Sequence, residues 1–288
     1  MKNSTLICLI LTPLFSFAQT KNIVKDSITG KPIAYANIWV QNENIGVSSE
    51  ENGEFVIPNQ DKNKKIVFSA MGYKKKIVSI SSSETVLLQP IYNELKEVII
   101  IKKFESKHKE IGNVDSPIHQ TNENGPKIDV KFFPYDNRYK RTKFIQKVSL
   151  LTDCRLVEAR LKIHFYKPDS QGFPADELLQ KELIVRVKQG INNHYFDVSD
   201  LNIVFPKTGI FVGFEKLMIE KNKIEKITKD SNTNNVKTHI SYAPFVLYNI
   251  VEREQNFVFI DGKWIKKTAD KSTKLTVYEP VLNLVLSN

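Results

Sequence analysis

The sequence is poor in the patterns that mark chemistry. Glycine numbers only 11 in 288 residues, and none sits in a G-x-G-x-x-G or other phosphate-cradling loop. There is no H-E-x-x-H pair for zinc and no G-x-S-x-G nucleophile elbow, so the usual metallopeptidase and hydrolase signatures are excluded. The histidines His108, His119, His164, His194 and His239 never pair at short spacing, and no D-x-D-x-D-G calcium loop exists. Asp197 and Asp200 come nearest to a cation site, but aspartates at strand ends read as turn residues. No catalytic, cofactor or metal residue is assigned. A glycosidase can place its two carboxylates on separate strands and leave no spacing signal. A hydrolase acting on polysaccharide or peptide, with its site in the second half, therefore stays as the alternative.

Cysteine is nearly absent and long apolar runs are confined to the start. Lys2 precedes an apolar stretch from Leu6 to Phe17, and Ser16-Phe17-Ala18 offers small residues at the positions a signal peptidase inspects. Residues 1–18 read as a secretory signal peptide. Cys8 does not make this a lipoprotein leader, because it lies inside the apolar run after bulky Ile7. No later stretch reaches the roughly 18 apolar residues of a membrane helix. The expected protein is exported, to the periplasm or the outer-membrane surface. Once the leader is gone only Cys154 remains, so no internal disulfide can form. Cys154 reads as a small core residue, with a reactive thiol or intermolecular bridge as the alternative.

Acidic residues are outnumbered: 42 lysines and arginines against 32 aspartates and glutamates give a net charge of +10. Export argues against nucleic acid and leaves acidic polysaccharide, lipopolysaccharide phosphate or an anionic membrane as polyanionic partners. A solvated lysine-rich surface is the plainer reading.

What the sequence does contain is strands. Segments 22–26, 34–41, 45–49, 54–57, 65–70, 75–80 and 84–89 are strand-like, with turn residues every eight to twelve positions or so, the rhythm of a β-sandwich. Asn52-Gly53 lies between two of them and predicts a hairpin, since both residues tolerate positive φ. In order, Lys25-Asp26, Thr29-Gly30-Lys31-Pro32-Ile33, Ala34-Tyr35-Ala36-Asn37-Ile38, Gly46, Ser48-Ser49-Glu50, Asn52-Gly53-Glu54-Phe55 and Phe68-Ser69-Ala70-Met71-Gly72-Tyr73 resemble the carboxypeptidase regulatory-like domain. The resemblance implies a transthyretin-like Greek-key sandwich of the Bacteroidetes type over 19–101 and an envelope location. It implies no peptidase activity. Residues 94–101 resemble the segment that leads into the plug of outer-membrane receptors, although the rest of the chain is too short for such a barrel. They read as a last strand with an exposed edge, and a receptor-accessory role is a narrower possibility.

Residues 102–127 are polar and punctuated by Gly112, Pro117, Gly125 and Pro126, and read as a linker. The second half, 128–288, resembles the jelly-roll-like β-sandwich that often follows such a domain. Its strand-like segments are 128–133, 142–151, 156–166, 182–187, 193–198, 209–217, 246–248, 256–260 and 281–286. In one of them Ala159, Leu161, Ile163 and Phe165 share a face, while Arg160, Lys162, His164 and Tyr166 point the other way. His164 is therefore expected to be an exposed histidine. Residues 173–179 are expected to open with a helical turn, and 221–237 to form a mobile loop.

The fold class is all-β in two sandwiches. The leading functional expectation is a non-catalytic binding or accessory module for a surface glycan or an envelope protein. Trp264, Tyr195 and Tyr166 are the candidate ligand contacts, because flat apolar rings complement the C–H face of a sugar. Trp264 follows an Asp261-Gly262 turn signal near a loop tip, and the alternative is that it simply covers a sheet.

Overall fold

A computed structural model describes residues 22–57, 64–79, 85–91, 106–116, 118–120, 126–229, 236–260, 262–268 and 275–288. The leader expected at 1–18 and the 94–101 segment lie outside the described residues. The chain is all-β, with no α-helix among the described residues. None of their helices is long and apolar enough to cross a membrane.

The first unit holds β1 (Asn22–Asp26), β2 (Asn37–Val40), β3 (Gly46–Ser48), β4 (Glu54–Phe55), β5 (Lys65–Ser69), β6 (Lys76–Ser79) and β7 (Thr85–Leu88). Each lies inside a segment expected to be a strand. Two sheets, ordered β4-β1-β7 and β3-β2-β5-β6, supply a common core that includes Val24, Ile38, Phe55, Phe68, Val86 and Leu88. The Asn52-Gly53 turn forms as expected: Gly53 takes φ +78° and its N–H donates to the Glu50 carbonyl at 2.9 Å. The predicted hairpin does not form. β3 pairs with β2 while β4 pairs with β1, so the turn carries the chain from one sheet to the other. Val47 and Phe55 then enter the same core from opposite layers, which pairing β3 with β4 would prevent.

The second unit contains β8 (His108–Ile111), β9 (Ile118–Gln120), β10 (Lys127–Phe133), β11 (Phe144–Pro168), β12 (Pro174–Glu177), β13 (Leu183–Asp197), β14 (Ile210–Lys216), β15 (Lys223–Lys229), β16 (Val236–Tyr242), β17 (Phe245–Arg253), β18 (Gln255–Ile260), β19 (Lys263–Thr268), β20 (Leu275–Pro280) and β21 (Leu282–Ser287). β11 is its spine. It runs for 25 residues and joins two segments that the sequence suggested were separate strands. Its first part pairs with β21 and β13, and its last part with β14, β13 and β12. The register shifts between Cys154 and Glu158, where Val157 is exposed, so a bulge bends the strand rather than ending it. Ala159, Leu161, Ile163 and Phe165 are fully buried in the main core, as the alternation predicts. Cys154 is buried in that core too, and its thiol donates to the Leu156 carbonyl.

Three local expectations are corrected. Residues 173–179 contain β12 instead of a helical turn, because Pro174 pairs with Pro168 and a fixed extended φ suits an edge. In the segment 221–237 the described residues include β15, which pairs antiparallel with β16 over an exposed surface. The expected linker 102–127 contributes β8 to the edge of β21 and β9 to the edge of β17. Only Ile111 of β8 needs burial, so a polar edge strand looks like a linker in the sequence.

Candidate functional site: the cleft between the two units

The site grows from two strand faces, one of which, on β11, the sequence left facing water. On β2 the inner residues Ile38 and Val40 are buried in the first core, yet Trp39 is 4% exposed. On β11 the face opposite the main core is equally covered: Arg160, Lys162, His164 and Tyr166 are all buried. The two faces cover each other. Tyr35, just before β2, has φ +56°, a conformation uncommon outside glycine. Its carbonyl accepts from Lys162 Nζ at 2.5 Å and its hydroxyl pairs with the Arg160 guanidinium. Glu51 adds a second contact to Arg160 at 3.2 Å. Nearby, Tyr35 packs with Leu217 and Ile219 in a small apolar cluster, and the Met218 N–H donates to Ser48 Oγ at 3.1 Å.

Beside this contact lies a cleft of about 1190 Å³, walled by both units. The first sandwich contributes Asn37, Ser69, Met71 and Gly72; the second contributes Lys162, His164, Tyr166, Glu177, Glu182, Phe259 and Trp264. His164 holds the centre. Its Nδ1 lies 3.0 and 2.9 Å from the two Glu177 oxygens, and its Nε2 lies 3.0 Å from Glu215 Oε2. An ionised carboxylate can only accept, so both ring nitrogens must donate and the ring is an imidazolium. Burial alone would lower the His164 pKa, but Glu177 and Glu215 outweigh it and lift the value from 6.5 to about 9. The expectation of an exposed histidine is therefore corrected: the polar face of β11 is turned toward the other sandwich, not toward water.

Lys162 is 2% exposed and donates to Glu182 Oε1 at 2.7 Å. Burial opposes its charge, yet attraction from Glu215 and Glu182 leaves its pKa raised. Burial pushes Glu182 upward against the pull of Lys162. Glu215 is buried as well, but Lys162, a hydrogen bond from His164 and another from Asn37 hold its carboxyl below the ordinary value. The registers explain the convergence. Glu215 sits opposite Lys162 across β14 and β11, and Glu177 sits opposite Tyr166 across β12 and β11. Side chains two apart on β11 thus meet carboxylates from both neighbouring strands.

Two of the three candidate aromatics come together here. The Tyr166 and Trp264 rings meet edge-on with centroids 5.2 Å apart, and Phe259 packs edge-on against Trp264 at 5.3 Å. The β18–β19 hairpin pairs Ile260 with Lys263 around the predicted turn, and its Gly262 has φ +75°. A Cβ at 262 would stand 2.6 Å from the Trp39 ring, so the hairpin tip packs closely on the first sandwich. Tyr195 is elsewhere: it is half-exposed on β13 and its hydroxyl is 3.3 Å from Asn193 Nδ2. Asp197 caps its own turn, accepting from the Ser199 N–H at 2.9 Å, as the turn reading predicted. No cluster of metal-ligating side chains occurs among the described residues.

Sequence reasoning missed His164, Lys162 and the glutamates Glu177, Glu182 and Glu215. The available signal was size and polarity: Tyr35 and Trp39 are large for an open strand face, and four long polar side chains alternate on β11.

Seven strands in two sheets around one core make the first unit a small β-sandwich. Its residues 23–100 match the model of the CarboxypepD_reg-like domain family, which identifies this unit as a carboxypeptidase regulatory-like domain, a common non-catalytic module. No curated protein matches the chain.

Proposed function

We propose that the chain is a non-catalytic, exported envelope protein that binds a surface glycan in the cleft between its two sandwiches. The carrying observation is the composition of that cleft, where aromatic rings of Trp264, Tyr166 and Phe259 share the walls with Asn37, Glu177 and Glu182. Rings accept the apolar face of a sugar, and convergent polar groups fix its hydroxyls. Export rests on the leader read in residues 1–18, and an envelope protein partner is the variant of this reading in which the cleft takes a side chain.

Hydrolysis is the second reading, favoured by three glutamates around one cleft with Glu182 pushed up and Glu215 held down. Against it, Glu215 is sealed from the cleft and tied to His164, and both Glu177 oxygens face His164 Nδ1. Neither is free to attack a substrate or activate water.

Glycan-array screening followed by calorimetry on the chain lacking residues 1–18 separates the two. Trp264→Ala should weaken the bound glycan by about tenfold or more, roughly 1.4 kcal/mol, while Tyr195→Ala leaves affinity unchanged. Turnover on a polysaccharide and peptide panel, abolished by Glu182→Gln, would select the hydrolase instead.

A further inference from the structure

Resting on the reading of the cleft as a glycan site, we propose that its ligand is cationic: a sugar bearing a free amine, seated between Glu177 and Glu182 and the aromatic wall. The first support is charge. Three carboxylates, Glu177, Glu182 and Glu215, share two cations, Lys162 and His164, through contacts of 2.7 to 3.0 Å. Counted over these five described side chains, the network carries one negative charge in excess. Removing charge from water is costly unless a partner neutralises it, so this imbalance is a demand for a cation.

No other described side chain is paired with these carboxylates as a cation. Arg160 lies on the same face of β11 but is engaged by Tyr35 and Glu51. Lys167 lines the cleft but is exposed, so its charge is hydrated. The Tyr166 hydroxyl hydrogen-bonds Glu177 as a neutral phenol, since burial and the nearby glutamates raise its pKa.

The second support is access. Glu215 has a side-chain exposure of 4%, whereas Glu177 and Glu182 retain 17% and 19% and line the cleft. The two carboxylates a ligand can reach are thus the two on the cleft wall. The third is the rings: aromatic faces attract cations, and more strongly where water is excluded. A sugar amine satisfies all three, because its ring suits Trp264 and its ammonium suits the glutamates. Burial raises the Glu182 pKa, so its carboxyl holds a proton more tightly than an ordinary glutamate. An arriving ammonium favours the ionised form, so binding is linked to proton release in the pH range where Glu182 titrates.

The test is calorimetry on the chain lacking residues 1–18 with size-matched oligosaccharides of three kinds: free-amine glucosamine, N-acetylated glucosamine and neutral glucose. The pH is chosen so that the sugar amine is protonated. The free-amine ligand should bind about tenfold or more tightly than the other two. Its apparent enthalpy should vary with the ionisation heat of the buffer in the sense of proton release. Glu182→Gln should remove the preference and the proton release together while sparing the weaker binding of the neutral sugar. The proton release is read on the unaltered chain, so it stands whether or not that variant folds. Equal or tighter binding of the acetylated or neutral sugar overturns the cationic ligand and leaves the glycan site intact. Binding of none of the three removes both readings.

Discussion

His164 shows how a residue that looks ordinary in sequence becomes clamped between two carboxylates. Its two carboxylate partners raise its pKa from 6.5 to about 9 despite burial, which alone would lower it. A histidine raised on folding binds its proton more tightly in the native state than in the unfolded chain. Its contribution is therefore fully present below about pH 6.5 and is lost as pH rises through about 9. Urea midpoints should fall across that window. Glu215→Gln removes one partner of a buried charged group, which typically costs about 3–5 kcal/mol. It should also start the fall at lower pH, because less attraction holds the proton. A flat pH response between neutrality and pH 9 would mean the ring is neutral, and the clamp between Glu177 and Glu215 would then be wrong.

Elements carry a different lesson. The two turns built on glycine were readable because positive φ narrows the choice of residue: Gly53 and Gly262 adopt +78° and +75°. Gly262→Ala should destabilise the chain by more than about 1 kcal/mol, from left-handed strain alone. The added Cβ also meets Trp39 and Lys75 at 2.6 and 2.7 Å, so the loss should appear as loosening between β19 and β2. Hydrogen exchange that quickens at 37–40 and 256–266 in this variant would register it; unchanged exchange would place the tip away from the first sandwich. Strand existence was legible for all seven strands of the first unit, since period-two alternation and turn residues are local signals. Pairing was not. Nothing near Asn52-Gly53 says that β4 joins β1, because partner choice depends on which layer each side chain fills. β11 was split in two for a related reason: Asp153 stands just before the bulge and Arg155 within it, and together they resemble a chain break. β15 and β16 resembled a loop because they bury so little, with Ile227 and Val236 both largely exposed.

At the scale of the whole molecule, the candidate site exists only because the first sandwich and the second β-unit share a face. Tyr166 and Trp264 were visible as aromatics, but the glutamates that join them sit on β12, on β14 and just before β13, and only sheet register brings these together. The same interface should govern unfolding. Interfaces between domains of one chain are often polar and permit motion. Here, however, the polar groups are buried and their partners cross the boundary: Lys162 to Tyr35, Arg160 to Glu51, and Glu215 to Asn37. Separating the units would leave the cleft face of β11 without Tyr35 and Asn37, and would expose Trp39. The two units should therefore melt together, giving a single calorimetric transition whose van't Hoff and calorimetric enthalpies agree. Lys162→Met tests the link. It keeps the apolar stem but leaves Glu182 and Glu215 short of a cation and Tyr35 without a donor, a loss of about 3–5 kcal/mol by analogy with other broken buried pairs. That loss falls on the shared face, so the variant should melt earlier and in two steps, the first sandwich parting from the second. Two separated transitions in the unaltered chain would show that the units fold independently, and the cleft would then be a hinge between domains instead of a fixed site.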